Sequence, residues 1–198
     1  QYEMPGMIGR GGMGVVYKAR QVSLDRVVAI KLLPLEVSVD PEFSNRFVRE
    51  AQTMARLNHP HIIAVYDFGK TMEGHLYFAM EFVDGTDLSK MVKKGGPLPF
   101  DQACDYVRQA GLALQYAHER GIVHRDIKPA NLLLAKPQNG DQPVVKILDM
   151  GLARLVDGDS NDVTNLTKLG TILGTPEYLA PEQALNSHTV DIRADIYS

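Results

Sequence analysis

One run of the chain, His124-Arg125-Asp126-Ile127-Lys128-Pro129-Ala130-Asn131, places a carboxylate, two cations and a carboxamide directly ahead of the apolar Leu132-Leu133-Leu134. The apolar residues anchor in a core, so the polar ones before them must sit on a loop at its edge, facing a ligand. Asp126 can accept a proton or orient a hydroxyl, and Lys128 can neutralise a developing anion. Asn131 offers an oxygen to a hard metal ion. These are the means of phosphoryl transfer, in which a protein positions reactants and stabilises charge more than it makes bonds.

The elements that must position this loop can be read in order. Gly9, Gly11 and Gly14 form G-x-G-x-x-G, a weak signal by itself. Val15-Val16-Tyr17 continues as a strand where a dinucleotide fold would start a helix, which predicts a hairpin with a glycine tip. Val27 to Leu33 reads as a buried strand carrying one charge, Lys31, and a buried lysine needs an anion. Asp40-Pro41 opens a helix with a capping residue and a proline at its first position. At about 100° per residue, Phe43, Phe47, Met54 and Leu57 fall in one stripe, with Glu50 in its middle asking for a buried cation such as Lys31. The helix stops near Pro60. Strands are expected over 62–68 and 75–83 around a turn at 71–74. A loop at 93–97 precedes a helix over 100–120, with Ala103, Val107, Ala110, Leu114 and Ala117 on one face. Cys104 near that face reads as a small core residue, and His118 as structural. A polar tip over 135–143 leads to the strand Val144-Val145-Lys146-Ile147-Leu148, which delivers Asp149-Met150-Gly151.

In this order and spacing, the motifs resemble those of the protein kinases. His124 to Asn131 is similar to the catalytic loop H-R-D-x-x-x-x-N, Val28-Ala29-Ile30-Lys31 to the V-A-I-K strand, and Asp149-Met150-Gly151 to D-F-G with methionine in place of phenylalanine. Gly174-Thr175-Pro176-Glu177-Tyr178-Leu179-Ala180-Pro181-Glu182 resembles the segment ending in A-P-E. The resemblance implies that Mg²⁺-ATP (Mn²⁺ as an alternative ion) is held by Ile8, Gly9, Gly11, Gly14, Val16, Ala29, Lys31, Met80, Glu81, Val83, Asp87 and Leu133. Val16, Ala29 and Leu133 would sandwich the adenine, backbone groups of Glu81 and Val83 would bond it, Met80 would guard the back of the pocket, and Asp87 would reach the ribose. Asn131 and Asp149 would hold the metal. Catalysis would fall to Asp126 and Lys128, with Lys31 positioned by Glu50, and Thr175 supporting Asp126 and Lys128. Met54, Val65, His124 and Met150 would stack to tie two lobes together, and Asp195 would brace the catalytic loop. Thr171, then Thr167 and Thr164, are implied phosphorylation sites, facing Arg125 and Arg154.

The implied fold is α+β and two-lobed: an antiparallel sheet lobe with one main helix over 1–83, and a partial, mostly helical lobe over 84–198. Lys128 and the Gly174 to Glu177 run resemble the serine/threonine branch, and Gly11-Gly12-Met13-Gly14 with Ala180-Pro181-Glu182-Gln183 its bacterial members. The partners implied are a protein with a Ser or Thr acceptor and a second kinase copy for trans-autophosphorylation. A pseudokinase scaffold would have lost Lys31, Asp126, Asn131 or Asp149, and a small-molecule phosphotransferase would lack the 174–182 platform. With 198 residues and a net charge of −3, composition gives no case for nucleic acid. No apolar run approaches the ~18 residues of a membrane span, which leaves anchoring to segments outside this span. A single cysteine fits the reducing cytoplasm. The chain stops where the resemblance expects more helices, so the expectation is a kinase-domain fragment that is poorly active alone.

Overall fold

The computed structural model describes residues 2–11, 13–137, 142–151, 155, 176–185 and 190–198. The chain divides into two units, one of residues 1–58 with 64–82 and one of residues 59–63 with 83–198.

The first unit is built on an antiparallel sheet of β1 (Tyr2–Gly11), β2 (Gly14–Gln21), β3 (Arg26–Leu32), β4 (Val65–Lys70) and β5 (Leu76–Glu81), in the order β1-β2-β3-β5-β4. Val16 lies opposite Lys31 and Lys31 opposite Phe78; Lys18, Ala29 and Met80 line up in the same way. Residues opposite or two apart share a face, so Val16, Ala29, Lys31 and Met80 all point to one side of the sheet. Phe47 lands on that side, its ring 4.6 Å from Phe78 and 6.0 Å from Phe68. Phe47 belongs to α2 (Pro41–Met54), whose Asp40 cap accepts from the Glu42 N–H at 2.9 Å. The stripe of Phe43, Phe47, Met54 and Leu57 is buried as its spacing demands, joined by Ala51. The opposite face buries Ala19, Val28, Ile30 and Ala79. A short helix, α1 (Leu35–Ser38), links β3 to α2. Its wholly buried Ser38 donates to Pro34 O at 2.8 Å and accepts from the Leu76 N–H at 3.1 Å, which fixes the linker to β5. At the end of the glycine turn, Gly14 has φ 121°, and a Cβ there would come within 2.0 Å of Leu32 O, so only glycine fits.

The second unit holds helices α3 (Leu88–Gly95), α4 (Phe100–His118), α5 (Pro181–Leu185) and α6 (Ile192–Tyr197). A small sheet, β6 (Gly85–Asp87), β7 (Leu132–Ala135) and β8 (Val144–Ile147), accompanies them. The strand expected over 62–68 starts only at Val65, and the segment 61–63 pairs with β8: Ile147 N donates to His61 O at 2.9 Å and Ile63 N to Ile147 O at 3.1 Å. The edge of β8 needs backbone partners, and this segment supplies them.

The α4 face also differs from its sequence reading. Tyr106, Gln109, Ala110, Ala113, Leu114 and Ala117 are buried, whereas Val107 is 69% exposed, Ala103 only half-buried and Cys104 exposed. The cause is Gln109, whose carboxamide accepts from Val145 N at 2.8 Å and donates to Pro143 O at 3.1 Å. A polar residue that serves a strand edge belongs inside, and it rotates the buried stripe so that Cys104, about 200° from Tyr106, faces outward. His118 is exposed in the last turn and has no core role. The loop expected from residue 93 starts later, because α3 runs to Gly95.

Truncating Phe47, which is 0% exposed, should cost about 3–5 kcal/mol of unfolding free energy in a Phe47→Ala variant. Denaturant unfolding monitored on the first unit checks this, and a loss below about 1 kcal/mol would contradict the packing described.

Candidate active site

The loop before β7 is fixed at both ends by apolar anchors, Ile127 and Leu132, each 8% exposed. Between them Pro129 starts a 3-10 turn, closed by Asn131 N donating to Lys128 O at 2.9 Å. The turn folds Lys128 and Asn131 back onto Asp126. Lys128 Nζ lies 2.9 and 2.8 Å from the two Asp126 carboxylate oxygens. Asn131 Nδ2 donates to Asp126 O at 2.7 Å and to Asp126 Oδ2 at 3.0 Å. Asp126 Oδ2 therefore takes two donors, while Oδ1 takes only Lys128 and keeps acceptor capacity for a hydroxyl. With its N–H group spent on Asp126, Asn131 has its carboxamide oxygen left to offer. Leu148 N donates to Asn131 O at 2.9 Å, which sets Asp149 beside the loop.

The backbone of the loop is held in a costly conformation. Arg125 has φ 68° and Asp149 φ 56°, both in the left-handed region, where a residue other than glycine costs on the order of 1–3 kcal/mol. Asp195 of α6 over-determines the first of these. Its carboxylate, 3% exposed, accepts the His124 N–H at 2.7 Å and the Arg125 N–H at 2.7 Å. Burial pushes the Asp195 carboxyl above its ordinary value, and the two N–H donors pull the other way. His124, 1% exposed, accepts the Asp126 N–H on Nδ1 at 3.1 Å and meets Leu148 O through Nε2 at 2.9 Å. The first contact uses a lone pair on Nδ1, which leaves Nε2 to carry the hydrogen of the second. Histidine thus ties the Asp126 backbone to the strand end that delivers Asp149.

The second unit also holds Val83, Asp87 and Leu133. Leu133 lies opposite Asp87 in the small sheet, so the two share a face. Asp87, 9% exposed, caps α3 by accepting the Lys90 N–H at 2.9 Å and pairs with Lys90 Nζ at 2.8 Å. Burial would raise its carboxyl, but the hydrogen bonds and charge of Lys90 hold it below the ordinary value. The capping function was missed in sequence; an Asp three residues ahead of Lys90 and before an apolar residue was the available signal.

In the first unit, Lys31 is 5% exposed on the central strand and Glu50 sits half-buried on α2, one turn beyond Phe47. Ile8, Gly9 and Gly11 lie on β1, Gly14 and Val16 on β2, Ala29 on β3, and Met80 and Glu81 on β5. The Glu81 N–H donates to Ala64 O at 2.8 Å and is thereby taken out of ligand contact. Met54 and Val65 belong to this unit, His124 and Met150 to the second, where both are buried. Thr164, Thr167, Thr171, Thr175 and Arg154 lie outside the described residues. Among the described residues, no cluster of three or more His, Cys, Asp or Glu side chains could hold a metal.

Replacing Asp195 by Asn would set an N–H group against one of the two backbone donors. Asp195→Asn should lose about 1–3 kcal/mol of stability, read by thermal and denaturant unfolding. Unchanged unfolding would show that the carboxylate is not what holds the loop.

A family model described as protein kinase domain matches residues 2–198. Serine/threonine-protein kinase pkn3 of Myxococcus xanthus is 42% identical over 198 residues, covering 100% of this chain and 36% of the relative. Serine/threonine-protein kinase PknB of Mycobacterium leprae is 44% identical over 201 residues, covering 100% of this chain and 31% of the relative. The chain therefore spans about a third of the length of these curated relatives. The crystal structure of the Mycobacterium tuberculosis PknI kinase domain matches with a TM-score of 0.75 and 35% identity, over 98% of this chain and 68% of that one. With its whole described span covered by that family model, the chain belongs to the protein kinase domain family.

Proposed function

We propose that this chain is the catalytic part of an ATP-dependent serine/threonine protein kinase. The observation that carries the reading is the Asp126 carboxylate, held by Lys128 and Asn131 with Oδ1 left to accept a proton. The names of the pkn3 and PknB relatives support the serine/threonine assignment. Residues 1–83 act as the nucleotide lobe and residues 84–198 as part of the substrate lobe. Lys31, buried on its strand, binds the α and β phosphates, and Glu50 positions it. Neither Gly9 nor Gly11 has a positive φ, and a Cβ at Gly11 would meet nothing within 4 Å. The fold itself does not demand glycine there, which supports close backbone approach to phosphates.

The donor set fits Mg²⁺, or Mn²⁺: one carboxamide oxygen from Asn131 and a carboxylate from Asp149 are hard ligands. A hexacoordinate ion takes only one or two protein groups alongside phosphate and water. When bound, the ion neutralises phosphate charge. In the transfer, the acceptor hydroxyl oxygen forms its bond to the γ-phosphorus as the bond to the β–γ bridging oxygen breaks. The hydroxyl proton passes to Asp126 Oδ1, ADP leaves, and Lys128 turns from Asp126 to the transferring phosphoryl group. Thr175 supports Asp126 and Lys128. Thr171, with Thr167 and Thr164 second, takes a phosphate from another copy of the kinase, whose charge orders the segment against Arg125 and Arg154. Among the described residues no helix is long and apolar enough to cross a membrane; we place this part of the protein in the cytoplasm, where ATP is.

Incubation of the full-length protein with γ-labelled ATP and casein should place label on Ser or Thr. Asp126→Asn should lower turnover on the order of 10²–10⁴-fold, and Lys31→Met should abolish most transfer, both with wild-type unfolding. An Asp126→Asn protein within about threefold of wild type would remove the general-base role. After phosphatase treatment and reincubation with ATP, Thr171→Ala should recover less activity than wild type; equal recovery would count against Thr171 as the switch.

A further inference from the structure

Gln183 makes two contacts of different kinds. It is the third residue of α5, and its Oε1 accepts the Ala180 N–H at 3.1 Å, closing the turn in the manner of a capping box. Its Nε2 leaves that turn and donates to Arg125 O at 2.8 Å, 58 residues away in sequence. Helix capping explains the first contact and not the second.

The carbonyl that Gln183 holds belongs to the peptide joining Arg125 to Asp126. Arg125 has φ 68°, so the orientation of this peptide is set by its partners and not by local preference. On one side Asp195 holds the Arg125 N–H at 2.7 Å; on the other, His124 Nδ1 accepts the Asp126 N–H at 3.1 Å. The Arg125 carbonyl is the remaining polar handle of that peptide, and Gln183 takes it. We propose that Gln183 is a positioning residue for the kinase reaction, which couples the segment at Ala180 to the aim of the Asp126 carboxylate. The inference rests on the kinase reading. It assigns Gln183 no contact with substrate; its action passes through the Arg125–Asp126 peptide. Small errors in the aim of a reacting group can cost about 10²-fold in rate, so the link belongs to turnover more than to nucleotide affinity.

Gln183→Glu separates the two contacts. Glutamate caps the third helical position as well as glutamine does, but its carboxylate presents an oxygen to Arg125 O where a donor is needed. Protonating that carboxyl restores a donor. An ordinary glutamate has a pKa of about 4.3, and the bond to a carbonyl, available only to the neutral acid, raises it. In the full-length protein Gln183→Glu should unfold cooperatively, at pH 8 below the wild-type temperature because the carboxylate leaves the Arg125 carbonyl without this donor. The variant's transfer from γ-labelled ATP to casein is compared with wild type well below either midpoint. Its kcat should fall about 10- to 100-fold at pH 8, with KM for ATP unchanged. The ratio of variant to wild-type kcat should rise as pH is lowered from 8 to 5.5, whereas Gln183→Met, which has no donor at any pH, should show a flat deficit. A Gln183→Glu ratio of one throughout, or a deficit that ignores pH, would overturn the proposal and leave Gln183 as a cap. Hydrogen exchange at the Asp126 amide needs no turnover and should quicken in Gln183→Glu; unchanged exchange overturns the coupling. A wild-type protein that transfers no phosphate overturns the kinase reading instead, while the exchange comparison still decides whether Gln183 holds the loop.

Discussion

The Asp195 carboxylate accepts the N–H groups of His124 and Arg125 in a place almost closed to solvent. Two buried donors without it would each cost about 1–3 kcal/mol, comparable with the strain of a left-handed Arg125. One acidic side chain therefore supports a backbone shape that the loop would not adopt by itself. The rest of the site hangs from that shape. Once Arg125 turns the chain, the Asp126 N–H faces the His124 ring, the ring reaches Leu148 O, and the residue after Leu148 is Asp149. Lys128 and Asn131 then close on Asp126 from the other side.

The first unit is organised on a different principle. Its order comes from packing: Phe47 against Phe78 sets α2 on the Lys31 face of the sheet, and Glu50 follows one turn later. Hydrogen bonds from Ser38 to Pro34 and from Leu76 to Ser38 fix the linker between β3 and α2. A lysine 5% exposed on a central strand would be a severe burden on such a unit without an anion to face.

Much of this was legible in the sequence because the controlling signals are local. The Asp40-Pro41 cap, the Phe43-Phe47-Met54-Leu57 stripe and the 71–74 turn each depend on residues a few positions apart. Asp126, Lys128 and Asn131, whose side chains meet, are likewise crowded into one short run. What the sequence hid are side chains recruited by distant backbone. Gln109 is buried because β8 needs a partner at Val145, and this turns α4 enough to expose Cys104 and Val107. Residues 62 and 63 leave the strand expected over 62–68 for the same edge. Asp87 caps α3, and Gln183 reaches Arg125 across 58 positions. Periodicity measures apolar burial and cannot register a polar residue buried for its hydrogen bonds.

A loop shaped in advance by a buried carboxylate has a direct physical signature: its amides are protected before any ligand arrives. Native-state hydrogen exchange at the His124 and Arg125 amides of the ligand-free protein measures this. The account predicts exchange as slow as that of the most protected amides of the second unit, with little further slowing when Mg²⁺-ATP is added. Exchange at the rate of an exposed loop until nucleotide binds would contradict it, and would mean that the ligand, not Asp195, builds the site.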